Sequence, residues 1–327
     1  MSAADADAIK IFHGRASFDL CENICHYLDL PIGKGKTTMF PDGELLVKIE
    51  EDVRGRDCYV VQSTHNPVNA HLMELLIYID TLKRASAGQI TAVVPYFGYA
   101  RQDRKDEGRT PITAKLVANL ITAAGANRVL AMDLHAAQIQ GFFDIPVDHL
   151  NAGPVLLTYL HDLKQSSSTE VVMVSPDVGN VKMAAAFADA LGVEIAIIDK
   201  QRKSGTEVMS TNVIGDVTGK TVFMVDDMVS TAGTVAKAAT LIKDKGAEQI
   251  FVACTHPVFV GMALERLAEA PIDQVIVTDT IPEADRFGPI KNKVKTLSVA
   301  NLIGEAIHRI HHNRSVSSLL QTGGGKR

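Results

Sequence analysis

One stretch in the second half of the chain, residues 222–234 with the sequence VFMVDDMVSTAGT, constrains the fold more than any other. Its first four residues are apolar and predict a buried strand of a parallel sheet. Asp226 and Asp227 stand where that strand is expected to end, and residues 230–234 form a turn of small and hydroxyl-bearing residues. Residues 235–243 then have helical periodicity. A strand, a turn and a helix in this order direct free N–H groups and the positive helix end at one point, which suits a phosphate.

The turn differs from a Walker loop, because the Gly-Lys-Ser/Thr core and its phosphate-reaching lysine are absent. Asp226 and Asp227 suit sugar hydroxyls or a hydrated Mg²⁺, so a phosphorylated sugar fits both halves of the stretch. The alternative is an ordinary βα turn with acidic capping residues. Paired aspartates followed by Ser-Thr-Ala-Gly-Thr are far more specific than a lone glycine pattern, which favours the sugar-phosphate site.

Length and composition restrict the class of protein. A chain of 327 residues can form two domains of ordinary size, and 5% aromatic residues with no Trp fit a doubly wound α/β protein. A net charge of −5 argues against a nucleic-acid partner held by a broad basic surface. The cysteines (Cys21, Cys25, Cys58 and Cys254) show neither metal-ligand pairs nor a disulfide framework, which favours a reducing cytoplasm. The amino terminus lacks the features of a signal peptide and no apolar run approaches membrane-spanning length, so we expect no membrane partner.

An internal repeat indicates two similar domains. Residues 53–63 parallel residues 217–227, and residues 87–93 parallel residues 246–252 in the same order. Two ordered copies of one α/β unit indicate a duplication.

The crossover between the copies is expected at residues 151–154, which gives domains 1–150 and 151–327. The first copy has Gln62 and Ser63 where the second has its two aspartates. We therefore expect one sugar-phosphate site per chain, in the second domain.

A hairpin is predicted near the amino terminus, with Asp42 and Gly43 at its tip between two β-prone runs. The ring of Phe40 beside the carboxylates of Asp42 and Glu44 can stack on a base and accept hydrogen bonds from its amino group. The alternative is an exposed turn that binds nothing.

A loop at residues 96–109 interleaves four cations with three acids after a predicted parallel strand. Ligands of α/β proteins bind at the carboxyl ends of such strands, and Arg101 can clamp a phosphate with two hydrogen bonds. A solvated loop is the alternative.

Further polar residues follow other predicted strands. Asp133 and His135 lie two apart at the end of one strand, so we expect them on one face as candidate metal ligands. Asp177 ends the next candidate strand. Residues 199–205 carry three cations and suggest a mobile basic flap over an anionic substrate, against the alternative of a solvated hairpin.

These motifs together resemble the PRPP synthases (ribose-phosphate diphosphokinases) of the phosphate-activated type. The resemblance covers nearly the whole chain and rests on residues 62–64, 72–76, 95–104, 133–136, 138–144, 174–177, 198–200, 222–234 and 254–257. It implies an α/β fold of two similar phosphoribosyltransferase-type domains, each with a mainly parallel sheet flanked by helices. Phosphoribosyltransferases themselves share residues 222–234 but are generally single-domain and lack the first-half motifs.

The resemblance also implies a role for each group of candidate residues. The catalytic residues would be the flap cations Lys200 and Arg202. The other implied roles are ATP binding by Phe40, Asp42, Gly43, Glu44, Arg101 and Gln102; ribose 5-phosphate binding by Arg202, Asp226, Asp227, Ser230, Thr231, Ala232, Gly233 and Thr234; magnesium-linked positions at His135 and Asp177; and regulatory phosphate binding by Arg54, Ser86, Ser315 and Ser317.

The implied activity is transfer of the β,γ-diphosphoryl group of Mg-ATP to the C1 hydroxyl of ribose 5-phosphate, which gives 5-phosphoribosyl 1-diphosphate (PRPP) and AMP. The implied cofactor is Mg²⁺. The resemblance further implies a cytoplasmic homo-oligomer, a hexamer, in which the hairpin completes the ATP site of a neighbouring subunit.

Three departures from the family pattern stand out. Ser230 replaces the usual Asp, and Asn180 and Met183 replace the usual Gly and Arg; both changes bear on sugar-phosphate affinity. Asp52 replaces a Ser that helps bind the regulatory phosphate in relatives. The alternative function is a non-catalytic subunit associated with a true synthase, and retention of the flap cations argues against it.

Overall fold

The structure of the chain, a computed structural model, describes residues 8–201 and 210–319. Its residues group into two compact units, and each unit is built on a mainly parallel sheet with helices. The described residues of the first unit are 8–151, 280–282 and 298–319, and those of the second are 152–201, 210–279 and 283–297. The fold class expected from the sequence is confirmed, whereas the domain limits 1–150 and 151–327 stay a prediction. No helix of the described ranges is long and apolar enough to cross a membrane.

The first unit has a five-stranded parallel sheet in the order β1-β4-β5-β6-β7 and a separate antiparallel hairpin of β2 and β3. Its strands are β1 (Ile9–His13), β2 (Gly35–Met39), β3 (Leu45–Ile49), β4 (Asp57–Val61), β5 (Gln89–Val94), β6 (Arg128–Met132) and β7 (Val147–Leu150). Its helices are α1 (Phe18–Leu28), α2 (Val68–Arg84), α3 (Thr113–Ala124) and, from the end of the chain, α8 (Ala300–His311).

Helix α1 shows how the sequence produces this packing. Its buried residues recur with helical spacing and form one face: Leu20, Cys21, Ile24, Cys25 and Leu28. The helix ends at Asp29, which adopts a left-handed conformation with φ of 54°. The predicted hairpin near the amino terminus is confirmed by the pairing of β2 with β3.

The second unit has a seven-stranded sheet in the order β10-β9-β8-β11-β12-β13-β14, parallel except for β10. Its strands are β8 (Val171–Ser175), β9 (Glu194–Gln201), β10 (Ser210–Ile214), β11 (Thr221–Val229), β12 (Gln249–Pro257), β13 (Gln274–Thr278) and β14 (Val294–Leu297). Its helices are α4 (Gly153–Ser166), α5 (Val181–Leu191), α6 (Gly233–Asp244) and α7 (Ala263–Glu269).

Strand β11 is central, and its apolar run is buried on both faces. Val222 and Met224 belong to the apolar core on one side of the sheet, and Phe223 and Val225 to the core on the other. This two-sided burial explains why the strand reads as a continuous apolar run rather than an alternating one.

The expectation that this strand ends at Asp226 and Asp227 is wrong. The strand continues to Val229 because β12 pairs with it along its length, with Asp226 opposite Cys254 and Val229 opposite Pro257. The carboxylates therefore sit on a strand whose backbone is fixed by a neighbour.

Candidate functional site

Two adjacent half-buried carboxylates lie near the carboxyl end of β11. Asp226 Oδ1 accepts a hydrogen bond from the N–H of Asp227 at 2.9 Å, and Asp227 Oδ1 accepts one from the N–H of Met228 at 2.9 Å. Burial, followed by the negative charge of Asp227 and more weakly that of Asp177, raises the pKa of Asp226 to about 8. Burial and the neighbouring carboxylate therefore favour the protonated form of Asp226 in the ligand-free protein.

The turn after β8 brings a third carboxylate to this place. Asp177 Oδ1 accepts a hydrogen bond from the N–H of Asn180 at 3.1 Å, and Ser175 Oγ donates to the carbonyl of Asp177 at 2.7 Å. The side-chain amide of Asn180 donates to the carbonyl of Val225 at 2.6 Å. Asn180, one of the departures from the family pattern, thus links the Asp177 turn to the strand that carries the paired aspartates.

Residues 230–234 connect β11 to α6. Ala232 has a φ of 57°, in the left-handed region, and α6 begins at the following residue, Gly233. The first N–H groups of a helix have no partner within the helix, and the helix dipole is positive at this end. The loop therefore has the geometry of an anion site, beside a strand that carries two carboxylates.

The segment that follows β12 donates hydrogen bonds to the backbone of this loop. The N–H of Phe259 donates to the carbonyl of Val229 and the N–H of Val260 to the carbonyl of Ser230, each at 3.0 Å. From α7, Arg266 Nη1 donates to the carbonyl of Thr231 at 2.8 Å. The sequence patterns did not single out Arg266. It lies on the helix that follows β12, the strand paired with β11, and only the structure shows that pairing.

Part of the predicted basic flap belongs to a strand pair. Lys200 lies in β9 and pairs with Thr211 of the antiparallel strand β10. The backbone of residues 199–201, where the predicted flap begins, is therefore paired in the sheet, and the mobility of the flap stays a prediction. Arg202 lies outside the described residues.

In the first unit, the predicted Arg-Gln loop lines a cavity of about 460 Å³. Arg101 and Gln102 line it together with residues 66–69, which lead into α2. The side chain of Gln102 accepts a hydrogen bond from the Thr113 hydroxyl. A concave surface lined by an arginine suits an anionic ligand.

The tip of the β2–β3 hairpin is strongly exposed. Phe40 keeps 44% of its surface accessible, and the neighbouring Met39 keeps 61%. Asp42 Oδ1 accepts a hydrogen bond from the N–H of Glu44 at 3.1 Å, and Gly43 has a φ of 93° that favours glycine. The turn is therefore an ordered projection with an apolar ring beside two carboxylates.

The argument that placed Asp133 and His135 on one face of a strand is wrong. Strand β6 ends at Met132, and Asp133 has a φ of 37°, so strand alternation does not extend to His135. The side chain of His135 is exposed. Within residues 8–201 and 210–319, no group of three or more His, Cys, Asp and Glu residues is arranged to hold a metal ion.

The candidate regulatory residues lie in three short segments of the first unit. The N–H of Arg54 donates to Asp52 Oδ1 at 3.1 Å, and the N–H of Gly55 donates to the carbonyl of Ser86 at 2.9 Å. Beyond α8, the Ser315 hydroxyl accepts from the N–H of Ser317 at 3.3 Å and contacts its hydroxyl at 3.2 Å.

Known proteins that resemble the chain identify its family. The model of the N-terminal domain of ribose phosphate pyrophosphokinase matches residues 9–125, and that of the phosphoribosyl synthetase-associated domain matches residues 206–321. A ribose-phosphate pyrophosphokinase of Rhodopirellula baltica is 56% identical over 96% of this chain and 98% of its own. The chain belongs to the ribose-phosphate pyrophosphokinase family. Another member, from Clostridium perfringens, is 51% identical over 96% of this chain and 98% of its own.

The structure of a ribose-phosphate pyrophosphokinase-type enzyme agrees with this assignment. The crystal structure of phosphoribosylpyrophosphate synthetase from Mycobacterium smegmatis matches with a TM-score of 0.86 and 42% identity, over 93% of this chain and 99% of that one. The predicted resemblance and the prediction of an enzyme are confirmed. The non-catalytic alternative is not favoured, because the similar full-length relatives are named as pyrophosphokinases.

Proposed function

We propose that the chain transfers the β,γ-diphosphoryl group of ATP to the C1 hydroxyl of ribose 5-phosphate, giving PRPP and AMP. The observation that carries the proposal is that a short loop joins the end of β11, which bears the two carboxylates, to the amino end of α6. The helix end suits the 5-phosphate and the carboxylates suit the ribose hydroxyls. Full-length similarity to named pyrophosphokinases supports the same reaction.

Within this proposal, ribose 5-phosphate binds to residues 230–234 through its phosphate and to Asp226 and Asp227 through its hydroxyls. The raised pKa of Asp226 suits this role, since a protonated carboxyl can both donate and accept a hydrogen bond. Ser230, in place of the usual Asp, removes a negative charge from the loop. That change favours the phosphate dianion.

ATP binds, in this proposal, at the cavity beside Arg101 and Gln102, and its adenine is held by the hairpin of a neighbouring copy. The exposure of Phe40 supports the second part, since an apolar ring at a projecting tip gains from burial against a base. Asp42 and Glu44 would accept hydrogen bonds from the adenine amino group. A homo-oligomer, with a hexamer as the expected form, and a cytoplasmic location belong to the same proposal.

Lys200 and Arg202 are the proposed catalytic residues. Negative charge builds on the oxygens of the diphosphoryl group as it moves, so cations placed against those oxygens lower the barrier. Closing them over the bound substrates would also keep out water that could hydrolyse ATP.

Asp177 and His135 have side chains that suit a bound, partly hydrated Mg²⁺. This ion usually keeps several waters and binds one or two carboxylates together with substrate phosphates, so a cluster of three protein ligands is not required. Asp177 would supply a carboxylate, and the imidazole of His135 suits a hydrogen bond to metal-bound water because Mg²⁺ prefers oxygen ligands. When bound, Mg²⁺ neutralises charge on the phosphates of ATP.

We also propose that Arg54, Ser86, Ser315 and Ser317 bind a regulatory phosphate. The guanidinium and the hydroxyls are suitable donors, and the two pairs of residues belong to one unit. Asp52, which accepts from the N–H of Arg54, places a negative charge beside this site.

Product analysis tests the proposed reaction. The protein is incubated with ribose 5-phosphate and Mg-ATP, and the nucleotides are separated. AMP formed in equal amount to PRPP supports the proposal. ADP would indicate an ordinary kinase, and neither product would favour a non-catalytic subunit.

A further inference from the structure

We propose that Arg266 is a positioning residue that sets the affinity for the 5-phosphate of the sugar. Its guanidinium fixes the loop of residues 230–234 in an anion-accepting shape and adds a permanent positive charge beside it. This inference rests on the proposed function, since it concerns the same loop.

Arg266 contacts the backbone of the loop directly. Arg266 Nη1 donates to the carbonyl of Thr231 at 2.8 Å. That bond holds the peptide between Thr231 and Ala232, the left-handed residue that immediately precedes α6. With the carbonyl of Thr231 held towards α7, the N–H group of Ala232 is turned to the opposite side, because the two groups of a planar trans peptide point in opposite directions.

The guanidinium of Arg266 also lies close to the amino end of α6. A Cβ atom built on Gly233 would lie 3.5 Å from Arg266 Nη1. The guanidinium therefore lies directly beside the first residue of α6, where the helix dipole is positive.

Arg266 also places a positive charge beside the loop. An arginine side chain carries five N–H donors and stays protonated, so the bond to Thr231 uses one donor and keeps the full charge. The loop lacks the lysine of a Walker loop, and its Ser230 carries no charge. Arg266 supplies a cation that the sequence of the loop itself does not contain.

The test compares variants that separate charge from support. Arg266→Gln keeps a hydrogen-bond donor but loses the charge, and Arg266→Lys keeps the charge as a point cation. Lys293→Gln is the matched control, because Lys293 Nζ donates at 2.9 Å to the carbonyl of Ala268, near the carboxyl end of α7, and at 3.4 Å to that of Ala270, rather than to residues 230–234. Each protein is checked by circular dichroism and assayed with ribose 5-phosphate and with unphosphorylated ribose.

We expect Arg266→Gln to raise KM for ribose 5-phosphate about 10- to 100-fold, the worth of one charge-assisted contact, with KM for ATP unchanged. Its preference for ribose 5-phosphate over ribose should fall by the same factor. Arg266→Lys should recover part of the loss, and Lys293→Gln should leave KM for ribose 5-phosphate unchanged. If Arg266→Gln does not fold, the comparison rests on Arg266→Lys, for which an unchanged KM would overturn the inference.

An unchanged preference in a folded Arg266→Gln protein would also overturn it, as would an equal rise in KM for both substrates or in Lys293→Gln. Each of these results leaves the proposed function intact, because the wild-type protein makes PRPP in all of them. A wild-type protein that neither binds ribose 5-phosphate in calorimetry nor forms PRPP would instead overturn the proposed function and this inference together.

Discussion

Asn180 donates its side-chain amide to the carbonyl of Val225 at 2.6 Å, and its own N–H donates to Asp177 Oδ1 at 3.1 Å. One residue therefore fixes the orientation of Asp177 and connects it to the strand residue that precedes Asp226. The family pattern has glycine here, so this chain has a tether that a glycine cannot supply.

We expect Asn180→Ala to lower stability by about 1 kcal/mol, the usual worth of one hydrogen bond, and to raise KM for ribose 5-phosphate severalfold. The reason is that Asp177 and Asp226 lose their common support. Urea unfolding and steady-state kinetics measure the two effects.

Asn127→Ala is the control for this prediction. Asn127 Oδ1 accepts from the N–H of Ile90 at 2.8 Å, a comparable tether in the first unit. Asn127→Ala should lower the free energy of unfolding by a similar amount, with no change in KM for ribose 5-phosphate. Equal kinetic effects in the two variants would show that Asn180 acts through general stability alone.

The raised pKa of Asp226 predicts a pH-dependent stability. In the unfolded chain the Asp226 carboxyl loses its proton at about pH 4, and in the ligand-free native protein at about pH 8. Between these values the native state therefore binds one proton more than the unfolded state. Stability should fall as pH rises through this window. Asp226→Asn should remove that fall, as thermal melts at several pH values will measure.

Asp216→Asn is the matched control, since hydrogen bonds from Thr218 lower the pKa of the exposed Asp216. The stabilisation from ionised Asp216 is present above the pKa of the unfolded chain and is lost only as pH falls through the lower pKa of the folded protein. Asp216→Asn should therefore leave the pH dependence of stability between about pH 5 and 8 unchanged. Identical slopes in wild type and Asp226→Asn would mean that Asp226 is ionised throughout the window.

Sharing of the hairpin between copies can be tested with mixed oligomers. The double variant Phe40→Ala/Asp42→Ala should be inactive because it cannot hold adenine, and Lys200→Ala because it lacks the flap cation. Mixing the two after dissociation should restore part of the activity, since some sites then combine an intact hairpin with an intact flap. Native mass spectrometry verifies mixing, and no recovery in verified mixed oligomers would contradict sharing.

Activation by phosphate should reflect Asp52. A carboxylate within a few ångströms of a bound phosphate repels it by roughly 1–4 kcal/mol, depending on the local dielectric. That corresponds to about tenfold weaker binding or more. We expect Asp52→Ser to lower the phosphate concentration for half-activation. An unchanged concentration would mean that the Asp52 charge does not face the phosphate.

Local patterns in the sequence predicted the α/β class, the hairpin and the Asp226–Asp227 pair near the end of a buried strand. They failed where a distant partner decides the outcome. Strand β11 extends past the aspartates because β12 pairs with it, and the chain leaves β6 at Asp133 through a left-handed backbone that no spacing rule marks. The tether of Asn180 and the contact of Arg266 with Thr231 join residues 45 and 35 positions apart, so no local pattern contains them.

In the proposed reaction, the C1 hydroxyl of ribose 5-phosphate attacks the β-phosphorus of ATP. ATP labelled at its β-phosphorus distinguishes this reaction from transfer of the γ-phosphate alone. We expect the label to pass to PRPP, the nucleotide product to be unlabelled AMP, and omission of ribose 5-phosphate to abolish transfer. Label retained in ADP, or released as free diphosphate without PRPP, would contradict it.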